Sequence, residues 1–325
     1  MTDISRSLDE LWVSLLLQFP GLRTESRNGP CFEMLGWSGK LKDPRVCVIS
    51  NPERKFSAGY ATAELFWYLC GSDSQEMIQA YAPQYARFCN DGVAKGAYGA
   101  RWRDNPGIAA KGVGLTSLQA AYALLRDKRD DRRAVVTMFD SGDVVEAIRG
   151  EWRDIPCTLS MQFLVREGQL HMIVSMRSND AWLGTPYDIH CFCQIQMLMA
   201  AALGCSLGTY THFVGSMHLY ETNSEKAMKA VGANCSRVPV RTPMPSRRDA
   251  EEFFARGLPP QEMIMAEMLL RVGTQHEKDR CIRDLTNLCS ADGSWWAGKL
   301  LLCARKLGLS VEEGYLPGWA TFVSK

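Results

Sequence analysis

The sequence predicts an α+β fold with a helical extension at its C-terminal end. Three observations carry this. Runs with strand character and runs with helical spacing both occur, but they do not alternate as a regular βαβ repeat. Two β-rich runs, Leu159 to Val165 and Leu170 to Met176, are joined through Glu167-Gly168, the layout of a hairpin. Near Val240 the composition changes, so that Arg241 to Pro260 is rich in Pro and Arg and helical patterns follow it. A boundary there divides the chain into residues 1–240 and 241–325.

Each element has a local reason. Ser7-x-x-Glu10 is a capping box ahead of Leu8, Trp12, Leu15 and Leu16, and Pro20-Gly21 should end that helix. Residues 30–50 alternate loosely between breaks and predict strands. Ala61 to Cys70 is apolar except for Glu64 and predicts a helix ending at Gly71. Thr116 caps a helix running to Arg126, Asp127 to Arg133 is a charged turn, and Ala134 to Phe139 is a buried strand. The run from Ile189 to Gly204 is a buried helix, interrupted by His190, Gln194 and Gln196 and too short to span a bilayer. Thr209 to Tyr220 is a strand. Helical patterns cover Gln261–Val272, Lys278–Cys289 and Ser294–Leu307 in the extension.

Composition excludes several classes. At 325 residues, 46% hydrophobic and 22% charged, the chain suits one large domain. A net charge of +1 provides no global field for nucleic acid or anionic lipid, so neither is an expected partner. Any bound anion needs a local arginine cluster. The twelve cysteines are scattered without a C-x-x-C pair, so no metal site is expected. Asp3, Asp9 and Glu10 break any signal-peptide layout, and the expected location is the cytoplasm.

Four short segments stand out: Ile155-Pro156-Cys157, Arg177-Ser178-Asn179-Asp180, Leu183-Gly184-Thr185-Pro186-Tyr187-Asp188-Ile189, and His218-Leu219-Tyr220. In this order and spacing they closely resemble the thymidylate synthase family. The resemblance extends over about residues 25–225. It implies a mixed sheet with packed helices, a homodimer with shared active sites, a nucleoside monophosphate substrate and 5,10-methylenetetrahydrofolate as co-substrate. Residues 1–240 would then be the catalytic domain, with the extension packed on it.

The resemblance also assigns roles. Cys157 would be the thiolate that adds to pyrimidine C6 and makes C5 nucleophilic, with Arg177 lowering its pKa. Alone, it reads as a core cysteine. Arg177, Ser178 and Arg27 would hold the 5′-phosphate. Arg132 and Arg133 would reach the partner subunit's site, although such a run is otherwise a solvated surface feature. His218 and Tyr220, two apart on a strand, share a face and would bind the sugar 3′-hydroxyl, unless they are a core pair. Glu64 would handle water and protons with Tyr98, the alternative being a surface glutamate. Asp180 would bind the pterin ring.

Asp188 carries the base assignment. Family members that methylate deoxyuridylate have Asn at this position, and those that hydroxymethylate a cytosine nucleotide have Asp. An amide matches uracil's O4 and N3–H; a carboxylate matches cytosine's N4 amino group and a protonated N3. The alternative is a helix N-cap before Ile189. Thr158 stands where methylating members usually have His, and Tyr81, Tyr85 and Phe88 occupy the region of the family's folate-packing tryptophans. The expected activity is folate-dependent 5-hydroxymethylation of CMP or dCMP. Thymidylate synthase-type C5 methylation of dUMP or a cytidylate, and a non-catalytic nucleotide-binding paralogue, are the alternatives.

Overall fold

The computed structural model describes residues 3–19, 22–105, 112, 114–152, 154–233, 240–312 and 314. The Pro20-Gly21 stop and Cys235 lie outside these residues, as does the chain beyond 314. The described elements are β1 (Asp3–Ser5), α1 (Leu8–Leu17), β2 (Leu22–Ser26), β3 (Gly29–Leu41), α2 (Ala58–Leu69), α3 (Gln75–Gln79), α4 (Tyr98–Arg103), α5 (Ser117–Asp127) and β4 (Val135–Thr137). They continue with α6 (Ser141–Arg149), β5 (Thr158–Arg166), β6 (Gln169–Asp180), α7 (Thr185–Leu203), β7 (Ser206–Tyr220), α8 (Glu221–Gly232), α9 (Arg247–Arg256), α10 (Gln261–Val272), α11 (Gln275–Asp292) and α12 (Trp295–Lys306). The result is the expected α+β architecture with a mixed sheet.

The sheet order is β1-β3-β7-β6-β5-β4, with β2 paired to β3. β6 and β7 run parallel, joined by α7; β5 pairs antiparallel with β6, and β3 with β7. The β5–β6 hairpin turns through Glu167 and Gly168, both at positive φ (50° and 72°), the backbone a two-residue primed turn requires. α7 is buried along nearly its whole length, His190, Gln194 and Gln196 included. A helix apolar on all sides belongs inside a core, and α7 fills the space between the sheet and α2.

Local capping explains the helix starts. Ser7 Oγ accepts from the Glu10 amide (3.1 Å), although the Glu10 carboxylate turns to the Arg6 amide (2.8 Å) rather than completing the box. Thr116 and Gln119 form a full capping box on α5. Three expectations need correction. Strand structure in 30–50 stops at Leu41, and the following segment packs Cys47 and Ile49 without forming a strand. Ala134 to Phe139 is not a buried strand: only Val135–Thr137 pairs, at the sheet edge, with Val136 inward and its neighbours exposed. Arg241 to Pro260 contains α9, whose Phe253 and Phe254 are buried.

The extension packs on the elements that carry the site. α12 lies along α2 so closely that a Cβ on Gly59 would sit 2.6 Å from Lys306 Cβ and 2.8 Å from the Leu302 carbonyl. Lys299, buried in α12, donates from Nζ to Gln194 Oε1 of α7 (2.8 Å). Among the described residues no helix is long and apolar enough to cross a membrane, and no His/Cys/Asp/Glu group could hold a metal ion.

Candidate active site

Parallel pairing of β6 with β7 sets Ser178 opposite Ser216 and Asp180 opposite His218. The carboxyl-terminal ends of both strands therefore bring Arg177, Ser178, His218 and Tyr220 together. With Arg27 from the β2–β3 turn they line one cavity of about 450 Å³. Ser178 Oγ lies 3.4 Å from His218 Nδ1, and the His218 and Tyr220 rings meet edge to face at 5.0 Å. Tyr220 OH accepts from Asn28 Nδ2 (3.3 Å). Hydroxyls, an imidazole and two guanidinium groups at one strand end suit a phosphorylated sugar.

Cys157 immediately precedes β5. The Arg177 amide donates to its carbonyl (2.8 Å), and Arg177 Nη2 approaches its Sγ (3.7 Å). Arg177 is anchored by donating Nε to the Pro156 carbonyl and Nη2 to the Ile155 carbonyl, both 2.9 Å. The guanidinium pulls the thiol pKa down, as expected, but desolvation outweighs it. Burial pushes Cys157 up to about 11, with Asp154 and Asp188 pushing the same way. Burial thus opposes the lowering that Arg177 was expected to bring.

Glu64 is a buried residue of α2, not a surface glutamate. Tyr60 OH donates to its Oε1 (2.8 Å), and Cys191 Sγ lies 3.9 Å from Oε2. Burial and then the charge of Asp188 raise Glu64 to about 8. Tyr98 opens α4, buried and stacked on Phe192 at 5.8 Å. Its phenol is pushed up by burial.

Asp188 lies in the first turn of α7, not at its cap. The helix starts at Thr185 after Gly184, and the Asp188 amide already donates to the Gly184 carbonyl (2.9 Å). The N-cap reading therefore fails, and the side chain serves something else. Its Oδ2 accepts from Asn179 Nδ2 (2.7 Å), and burial raises the group to about 7 although that hydrogen bond opposes it. Asp180 uses Oδ1 to accept from the Trp182 and Leu183 amides (2.7 and 2.9 Å), shaping the turn into α7. Arg132 and Arg133 stand exposed ahead of β4 and do not line their own chain's cavity; Arg133 pairs with Asp131 at 2.6 Å.

Some residues at the site were not read from sequence. Tyr60 sits one helical turn before Glu64, a spacing visible in the chain. Arg54, buried with its guanidinium 5.0 Å from the Tyr187 ring, had no local signal. Asn179 lay inside a recognised segment, but nothing in its own neighbours announced a contact with Asp188.

The fold and this constellation set a cysteine, two buried carboxyls and an arginine-lined cavity on one mixed-sheet scaffold. The thymidylate synthase family model matches residues 48–255, and the chain belongs to the thymidylate synthase family. It is similar to a deoxyuridylate hydroxymethyltransferase of Pseudomonas phage M6, 30% identical over 218 residues. That match covers 63% of this chain and 57% of the phage protein's length.

Proposed function

We propose that the chain hydroxymethylates C5 of a cytosine nucleoside monophosphate, CMP or dCMP. The observation that carries this reading is the buried carboxyl of Asp188, joined to Asn179 and electrostatically coupled to Glu64. An ionised Asp188 accepts from cytosine N4 and supports a proton on N3, which draws electron density from C6. The same carboxylate facing uracil O4 would oppose two acceptors in a desolvated site.

The chain's own groups then have separate tasks. Arg27, Arg177 and Ser178 bind the phosphate, while His218 and Tyr220 bind the sugar. The Cys157 thiol, pushed up by burial, loses its proton to water before the sulfur adds to C6, and Arg177 stabilises the thiolate in between. The co-substrate, 5,10-methylenetetrahydrofolate, supplies the one-carbon unit when bound. Residues beside Asp180 fit such a donor: its Oδ2 lies outside the turn's hydrogen bonds, next to the partly exposed Leu183. Glu64, once ionised, takes a proton from the water that adds to the methylene on C5, and Tyr60 and Tyr98 hold the surrounding proton network. Cys157 finally leaves C6.

The assembly belongs to the same reading. Val135, Phe213 and Leu35 leave apolar surface exposed on β4, β7 and β3. A second copy of the chain covering that surface would make a homodimer, with Arg132 and Arg133 at its edge to complete the neighbour's phosphate site.

One observation favours a second reading. A protonated Asp188 offers O–H and C=O as an amide would, and the group titrates near neutrality. Hydroxymethylation of deoxyuridylate, the activity that names the phage relative, follows from that state. The test is incubation with CMP, dCMP, UMP and dUMP plus methylenetetrahydrofolate, with products weighed. Addition of CH2O to a cytosine nucleotide supports the proposal. Addition of CH2 with formation of dihydrofolate points to C5 methylation instead.

A further inference from the structure

Behind Asp188 runs a buried chain of side chains with one direction. Asp188 Oδ2 meets Asn179 Nδ2 at 2.7 Å. Asn179 Oδ1 meets Thr185 Oγ1 at 2.7 Å and His212 Nε2 at 3.2 Å. His212 Nδ1 meets Tyr210 OH at 2.7 Å. All five side chains are buried. An ionised carboxylate only accepts, so Asn179 must turn its amide N–H to Asp188. Its oxygen is then the acceptor, and Thr185 and His212 must donate to it. Burial holds His212 down to about 3, hence neutral, with one ring N–H. That hydrogen sits on Nε2, and Nδ1 accepts from the Tyr210 hydroxyl. With Asp188 ionised, turning Asn179 or His212 alone would set like groups face to face and leave a buried polar atom unpaired, which costs about 1–3 kcal/mol.

Gly184 marks the same contact. A Cβ there would stand 2.9 Å from Asn179 Nδ2 and 3.1 Å from Asp188 Oδ2, crowding both ends of the hydrogen bond between them.

We propose that Asn179, locked by His212 and Thr185, is the positioning residue that sets base discrimination: it keeps Asp188 Oδ2 an acceptor, so that only Oδ1 can alternate between acceptor and donor toward the group at C4. This inference rests on Asp188 reading the base, but not on which base it prefers. Without the lock, either oxygen can carry the proton, and the carboxyl can match both pyrimidine edges.

The test measures kcat/KM on cytosine and uracil nucleotides for Asn179→Ala, His212→Phe, His212→Gln and Thr185→Val, with Tm for each. Asn179→Ala and His212→Phe are expected to reduce the preference, whichever base the wild type favours, by about tenfold. His212→Gln keeps an N–H near the Nε2 position and is expected to retain it. Thr185→Val, nearly isosteric, preserves the fold should the others not express, and is expected to lose part of the preference. Unchanged discrimination in the folded variants, with only Tm lowered, overturns the proposal. Asp188→Asn separates the two failures: if it shifts preference while the Asn179 and Thr185 variants do not, the base reading stands and the lock falls. If Asp188→Asn also shifts nothing, the base reading itself is wrong.

Discussion

Cys157 illustrates how burial and a neighbouring cation compete at one atom. Arg177 lies 3.7 Å from Sγ, yet the thiol is pushed up to about 11. Alkylation of Cys157, followed by peptide mass mapping, should therefore be slow at neutral pH and rise steeply only in alkali. Arg177→Ala should slow it further, and Cys157→Ser should abolish turnover. Fast neutral alkylation would contradict this electrostatic picture. Glu64 and Asp188 behave as buried acids with raised values, about 8 and about 7 against ordinary values of 4.5 and 3.8. The sign follows: the native state holds protons that the unfolded chain has already lost, so their stabilising contribution is full below pH ~4 and declines up to about pH 8. Tm should fall across that window, and Glu64→Gln should flatten the fall. A wild-type Tm that rises from about pH 5 to about pH 8 would show other titrations in control. Cys157, Glu64 and Asp188 were legible in the sequence because short motifs frame them. The environment that shifts them was not, since it arises from residues far apart in the chain.

Helix ends decide more of this site than helix interiors do. Thr116 and Ser7 announced α5 and α1 because their caps are local patterns. The start of α7 was harder: Gly184 provides no side-chain cap, and Asp188 looked like one although it already stands inside the helix. The glycine is there for space, since a Cβ would press against both partners of the Asn179–Asp188 hydrogen bond. Gly184→Ala should lower kcat/KM by about tenfold or more while changing Tm little, because the contact it disturbs concerns orientation more than packing. Normal kinetics in that variant would remove the steric argument. α6 escaped the sequence reading because its apolar residues Val144, Val145 and Ile148 point outward, so its pattern does not point to the chain's own core.

At the scale of the molecule, α7 covers the sheet on one face, α2 packs on α7, and α12 in turn covers α2. Lys299 ties the extension to Gln194 within the core. The division at residue 240, visible as a composition change, is therefore crossed by buried contacts that composition does not report. On the proposed dimer, Arg132 and Arg133 act in the neighbour's site. Mixing inactive Cys157→Ser with an inactive Arg132→Ala/Arg133→Ala variant should restore activity, since a hybrid can assemble one intact site. No restoration after subunit exchange would place those arginines outside the reaction.

Which pyrimidine edge the buried Asp188 carboxyl meets decides the reaction. The most direct measurement is the ratio of kcat/KM on dCMP or CMP to that on dUMP, for wild type and Asp188→Asn. A cytosine preference is expected in the wild type, moving toward uracil by about tenfold or more in the variant. Equal ratios in the two proteins would contradict it.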